Sequence, residues 1–113
     1  VLVVATDRRF RAVTSTLLTQ RGCEVSVYPA RGDIRAQAAR QRVDVVVLDA
    51  TASLTTAAHT AARLQSLRPK VGLVAVSSDP RDRLDALAVI PKWGSLDGLY
   101  RAIESARPRG AHV

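Results

Sequence analysis

Three short apolar runs constrain this chain more than any other feature. VLVVA at 1–5, VVVL at 45–48 and VGLVAV at 71–76 show no alternation with polar residues, so a strand built from any of them is covered on both faces. Between the runs the hydrophobic period changes to that of a helix. Phe10, Val13, Leu17 and Leu18 fall on one helical face, as do Ile34, Ala38 and Ala39, and then Ala57, Ala61, Leu64 and Leu67. Strands buried on two sides and separated by amphipathic helices imply an α/β fold, with a parallel sheet and right-handed crossovers.

The punctuation fits that alternation. EVSVY (24–28) reads as a second strand closed by Pro29, DVVVLD (44–49) as a third, KVGLVAVS (70–77) as a fourth and AVIP (88–91) as a fifth. Thr6 or Asp7 can cap the first helix and Gly22 can close it. Gly32 and Asp33 open the second, and Pro69 stops the third. Asp79, Pro80 and Asp82 have the chemistry of a helix start, which predicts a short fourth helix through about Ala88. Ser95 caps the last helix, with Leu96, Leu99, Ile103 and Ala106 on its buried side. RPRGAHV (107–113) has no period and reads as a tail or the start of a linker, which leaves residues 1–106 as one domain.

Composition narrows the function classes. There is no apolar run long enough to cross a membrane, and Val1–Ala5 is too short for a signal-peptide core, so a cytoplasmic location is expected. Cys23 has no companion for a disulfide or metal cluster and reads as a small buried apolar residue. His59 and His112 lack neighbouring ligand types. The net charge of +7 comes mostly from arginine, but only Arg8, Arg9 and Arg11 cluster. Aromatics at 4% argue against a base-stacking platform. Direct nucleic-acid binding is thus an alternative without a motif behind it.

In such a sheet, sites form at the carboxyl ends of the strands. There the chain delivers Ala5, Thr6 and Asp7, then Asp49, then Ser77 and Ser78, then Lys92. Asp49 is therefore expected at a solvent-accessible rim. No pair of base and nucleophile accompanies it, so an enzyme is not expected.

An Asp closing strand three, a hydroxyl residue closing strand four and a Lys after strand five resemble the receiver domain of bacterial two-component response regulators. The resemblance runs over residues 1–106, through VLVVATDRRFRAVTSTLLTQRG, VDVVVLD, VAVSS and IPKWGSLDGL. It implies a flavodoxin-like strand order of 2-1-3-4-5. It implies a histidine kinase, an effector domain or a homodimer as partners, and a place in phosphorelay signalling and transcription regulation. It would make Asp49 the phosphoacceptor, Lys92 the cation facing it and Ser77 the hydroxyl that binds the phosphoryl group.

Several residues depart from that pattern. Ala5 and Thr6 stand where the family has two acids, leaving Asp7 and Asp49 as the ligands for a weak Mg²⁺ site. The loop DATASLTTAA lacks the usual Met-Pro and Gly, Val89 takes the place of the switch aromatic, and Trp93 replaces a Pro. The interval from Ser77 to Lys92 is short, which implies a shortened fourth helix. The expectation is an atypical receiver-like domain with no resident cofactor, acting through protein contacts or dimerisation. The alternative is a working phosphoacceptor in a His–Asp relay. At the level of residues both readings stay open: Asp49 could equally be a structural acid held by Lys92, Arg8 or backbone N–H groups. Asp7 could be a helix cap, and Ser77 a strand-end hydroxyl. Trp93 and Tyr100 either pack the last helix or anchor a partner on the face of the fourth helix, fifth strand and last helix.

Overall fold

In the computed structural model, which describes residues 1–67, 69–84, 87 and 89–108, strands and helices alternate up to β4. The order is β1 (Leu2–Val4), α1 (Arg8–Gln20), β2 (Ser26–Tyr28), α2 (Ile34–Gln41), β3 (Val45–Asp49), α3 (Leu54–Leu64), β4 (Gly72–Ser77), β5 (Val89–Pro91) and α4 (Leu96–Ala106). The five strands form one sheet in the order β2-β1-β3-β4-β5, and every pairing is parallel. The expected architecture and strand order are both present.

Strand residues alternate between the two faces, and that alternation sorts the core. Val3, Val45, Val47, Val74 and Val76 meet Phe10, Leu18 and Ile103 on one face, the face covered by α1 and α4. On the other face Leu2, Val4, Val46 and Leu48 meet Ile34, Ala38, Ala61 and Leu64 from α2 and α3. Burying a Val or Leu this fully contributes about 1.5–3 kcal/mol per side chain, so the central strands hold the sheet together without help from the rim. Asp49 lies in register with Val76 and shares the parity of Val45 and Val47. The pleat therefore turns its side chain toward the α1/α4 layer.

Each helix begins on a polar cap. The side chains of Asp7, Asp33, Ser53 and Ser95 accept from the backbone N–H groups of Phe10, Ala36, Thr56 and Gly98, each contact stabilising its helix by about 1 kcal/mol. Asp7, not Thr6, is the first cap.

Four details differ from the sequence reading. The buried stripe of α1 is Phe10, Thr14 and Leu18, while Val13 is 37% exposed; the helix is rotated so that Val13 and Leu17 flank α4. Ala39 faces solvent, and α2 packs through Ile34 and Ala38 alone. The connection from β4 to β5 is shortened beyond expectation. Among its described residues there is no helix, so the described chain has four helices rather than five. Asp79 instead holds a turn by accepting from the Arg81 N–H at 2.9 Å, and an isolated bridge joins Leu84 to Leu87. The remainder of the expected helix, Asp85, Ala86 and Ala88, lies outside the described residues. Finally, Arg107 is not a free tail residue, because its guanidinium is bonded to Asp44 and to Glu104 at 3.2 Å. Pro108 follows it, and residues 109–113 of the expected tail lie outside the described residues.

Gly72 marks where α4 ends against the sheet. A methyl group added there would overlap the backbone carbonyl of Ala106, so the start of β4 can approach the helix end only without a side chain. Gly72→Ala should lower stability by about 1–3 kcal/mol, the usual cost of overpacking, measured by urea denaturation. An unchanged midpoint would mean that α4 does not rest on β4 as described.

Candidate functional site

At the carboxyl ends of β1, β3 and β5, three charged side chains meet. The Lys92 ammonium lies 2.8 Å from Asp49 Oδ2 and 2.9 Å from Asp7 Oδ2. The remaining oxygens are also occupied. Asp49 Oδ1 accepts from the Thr51 N–H at 3.0 Å, and Asp7 Oδ1 accepts from the Phe10 N–H at 3.0 Å. Each carboxylate thus spends one oxygen on backbone and one on the same ammonium.

Local structure places all three. Asp49 is the last residue of β3. Asp7 is carried in as the cap of α1. Lys92 follows β5, and its own N–H donates to the Ser77 carbonyl at 2.9 Å, extending the β4–β5 ladder by one bond. The ring of Phe10 lies 5.4 Å and that of Trp93 6.0 Å from the Lys92 ammonium, near enough for cation–π attraction.

The rim position expected for Asp49 is present, but its accessibility is not. Its side chain is 4% exposed and that of Lys92 only 7%. Burial works against the charge on Lys92. The hydrogen bonds and charges of Asp49, then Asp7, outweigh it and hold the lysine above its ordinary pKa. Asp7 is held below the usual carboxylate range, first by its bond to Lys92 and then by the Phe10 N–H.

Of the other expected residues, Ser77 is drawn elsewhere. Its hydroxyl donates to Asp82 at 2.6 Å and accepts from the Asp79 N–H at 3.1 Å. Arg8 takes no part in the ion pairs of the described residues, so Lys92 fills the counter-ion role weighed for either. Trp93 packs edge-on against Phe10 at 5.5 Å with Arg9 over its ring, and Tyr100 lies under Arg21. Both aromatics therefore lean on α1, and Trp93 remains 53% exposed. Sequence reasoning missed Thr51, whose N–H holds Asp49 and whose hydroxyl oxygen accepts from the Ser78 N–H at 3.3 Å. It also missed Asp82 as the partner of Ser77. Their spacing, two residues after Asp49 and five after Ser77, was the available signal.

The divalent cation implied by the sequence resemblance does not fit this donor set. Ala5 is fully buried and offers no ligand, and its carbonyl already accepts from Arg11 at 2.6 Å. Among the described residues no three His, Cys, Asp or Glu side chains converge. The two carboxylates that do converge share an ammonium.

Two consequences are measurable. Lys92→Met leaves Asp49 buried without a cation and should cost about 3 kcal/mol at neutral pH, against less than about 1 kcal/mol for an exposed pair. The stability contributed by Lys92 is complete below 10.5, its ordinary value, and is lost as pH rises through its higher folded value. That of Asp7 is complete above 3.8 and is lost as pH falls through its lower folded value. Urea titrations across pH should therefore show an alkaline loss that Lys92→Met removes and an acid loss that Asp7→Asn reduces. Unaltered limbs would contradict the geometry.

No family model matches the sequence, and no curated protein matches it. Solved structures do. A response regulator protein from Burkholderia pseudomallei, whose structure has a phosphorylated aspartic acid, calcium ion and citrate, matches with a TM-score of 0.77 at 15% identity, over 90% of this chain and 64% of that one. This chain thus spans just under two thirds of that protein. A Vibrio cholerae chemotaxis protein matches at 0.76 with 18% identity, over 93% of this chain and 95% of that one. The BeF3-activated N-terminal receiver domain of RstA from Klebsiella pneumoniae matches at 0.72 with 20% identity, over 93% and 95%. The chain has the fold of response-regulator receiver domains.

Proposed function

We propose that residues 1–106 form a receiver-like signalling domain that works through protein contacts rather than through efficient Mg²⁺-dependent phosphorylation. The domain serves an attached effector, a partner protein or a second copy of itself in the cytoplasm. The observation that carries this reading is the Lys92 ammonium between Asp7 and Asp49. An incoming phosphodonor needs Asp49 free for in-line attack and a metal to neutralise its oxygens. Here the acid is covered and its free oxygen is already neutralised. Trp93, exposed and backed by Phe10 and Arg9, is the residue we assign to partner contact, together with Tyr100, which lies under Arg21.

The nucleic-acid reading loses ground because many arginines are engaged with acids or carbonyls. Arg21 is bonded to Asp97, Arg63 pairs with Asp33, Arg107 is bonded to Asp44, and Arg11 donates to Ala5 and Thr6. The phosphoacceptor reading keeps one point in its favour, the convergence of Asp49 with Lys92.

The test is exposure of the isotopically labelled protein to Mg²⁺ with beryllofluoride, and separately with acetyl phosphate. Our reading predicts no saturable amide shifts at Asp49, Ser77 or Lys92 and no phosphoaspartate by mass. Saturable shifts at those residues that vanish in Asp49→Asn would restore Asp49 as a phosphoacceptor.

A further inference from the structure

We infer that the groove between the C-terminal half of α2 and the segment leading from α3 into β4 binds an acidic, apolar-bearing segment of a partner protein. This surface is separate from the face of Trp93. Trp93 packs on α1, whereas the groove opens on the layer that covers the other side of the sheet.

Charge is distributed very unevenly over the chain. The net charge is +7, and nearly all of it resides in the segments that build this layer. Residues 31–43 and 54–71, which supply α2, α3 and their flanks, hold seven basic side chains and one acid, Asp33. The remaining residues hold ten and nine. Asp33 is already used, capping α2 through the Ala36 N–H at 3.0 Å and pairing with Arg63 at 3.5 Å. Arg35 and Arg40 donate to neutral oxygens, those of Ser66 at 2.9 Å and Gln37 at 3.4 Å. Among the described residues Arg42 and Lys70 form no ion pair. A surface with such a surplus favours a partner of opposite sign and speeds its approach.

The groove has a volume of about 440 Å³, within the range of ligand-binding pockets. Ala39, Val43, Leu67, Pro69 and Val71 line it, and Arg42 stands on its wall. Apolar walls with cations at the edge fit an acidic segment that also carries apolar side chains. They fit a nucleic acid poorly, because no aromatic ring lines the groove for base stacking. Arg42 points to the same conclusion. After α1 the N–H groups of Gly22 and Cys23 donate to the carbonyls of Thr19 and Leu18, and after α2 those of Arg42 and Val43 donate to the carbonyls of Ala39 and Ala38. The two helices thus end in the same turn, but the first has glycine at its positive φ, 90°, and the second has arginine, at 53°. Glycine is the residue this backbone favours, so the turn itself gives no reason for a guanidinium. Its place beside the groove does.

The test is selection of peptides from a random displayed library on the immobilised protein. The winners are then titrated into isotopically labelled wild type, Arg42→Gly and Ala39→Glu. They should carry net negative charge and apolar residues, and should shift the amides of Ala39, Val43 and Val71 rather than those around Trp93. Arg42→Gly removes the guanidinium without straining the turn, so its urea midpoint should stay or rise while affinity falls about threefold to fivefold. Ala39→Glu, at an exposed helical position, should keep the fold and weaken binding at least about tenfold. Basic or uncharged winners, no winners at all, or affinities that Arg42→Gly or a folded Ala39→Glu leaves unchanged overturn the inference. So does a short DNA duplex, or a phosphatidylserine vesicle, that engages the same amides more tightly than the peptides at equal salt. Winners that shift only residues around Trp93 sink this groove and leave the Trp93 assignment standing.

Discussion

A carboxylate that is 4% exposed at the end of a β-strand persists only if a cation reaches it, and the upper rim of this protein is built around that requirement. Removing a carboxylate and an ammonium from water costs several kcal/mol for each ion. The cost is offset here because both acids and the lysine have their hydrogen-bonding capacity used. Asp49 and Asp7 each accept from a backbone N–H as well as from Lys92. For Lys92 to arrive, β5 must pair with β4 in the register that sets Ser77 opposite Pro91. For Asp7 to arrive, α1 must start where its cap lies. One ion cluster therefore ties the carboxyl ends of β1, β3 and β5 together at the edge of the α1/α4 core.

The layers beneath are indifferent to that cluster. Val45, Val46, Val47 and Leu48 are buried on both faces, and their packing against α1, α2, α3 and α4 would be the same with a different rim. This separation explains how a chain at 14–20% identity to solved receiver structures keeps their strand order while changing the residues at the site. Thr6 and most of the described β4–β5 connection lie at the surface, whereas Ala5 and Leu84 are buried.

Most of the sheet was legible in the sequence because its physics is local. Uninterrupted runs such as VVVL read as strands covered twice, and caps such as Asp33 and Ser95 act within three residues of themselves. The convergence of Asp49 and Lys92 was legible too, since parallel connections bring strand ends to one rim. What stayed hidden depends on distances that no period encodes. Asp49, expected as an open acid, is covered and paired with Lys92. Asp7 proved to be both cap and ion-pair partner, where the sequence had offered a cap or a metal ligand. The rotation of α1 that buries Thr14 and exposes Val13 depends on how α4 packs beside it. The β4–β5 connection failed as a helix in its described part because Asp79 and Asp82 satisfy Arg81 and Ser77 across a turn.

The central claim is that the Lys92 ammonium is locked between two carboxylates, and the chain provides its own control, because its only other lysine, Lys70, is exposed. Nitrogen-15 NMR of the two side-chain ammonium groups measures this directly through their hydrogen exchange with water. A slowly exchanging Lys92 signal that shifts in both Asp7→Asn and Asp49→Asn, beside a fast-exchanging Lys70, is the predicted result. Equal, fast exchange for both lysines would show that the ammonium is solvated and that the proposed lock does not exist.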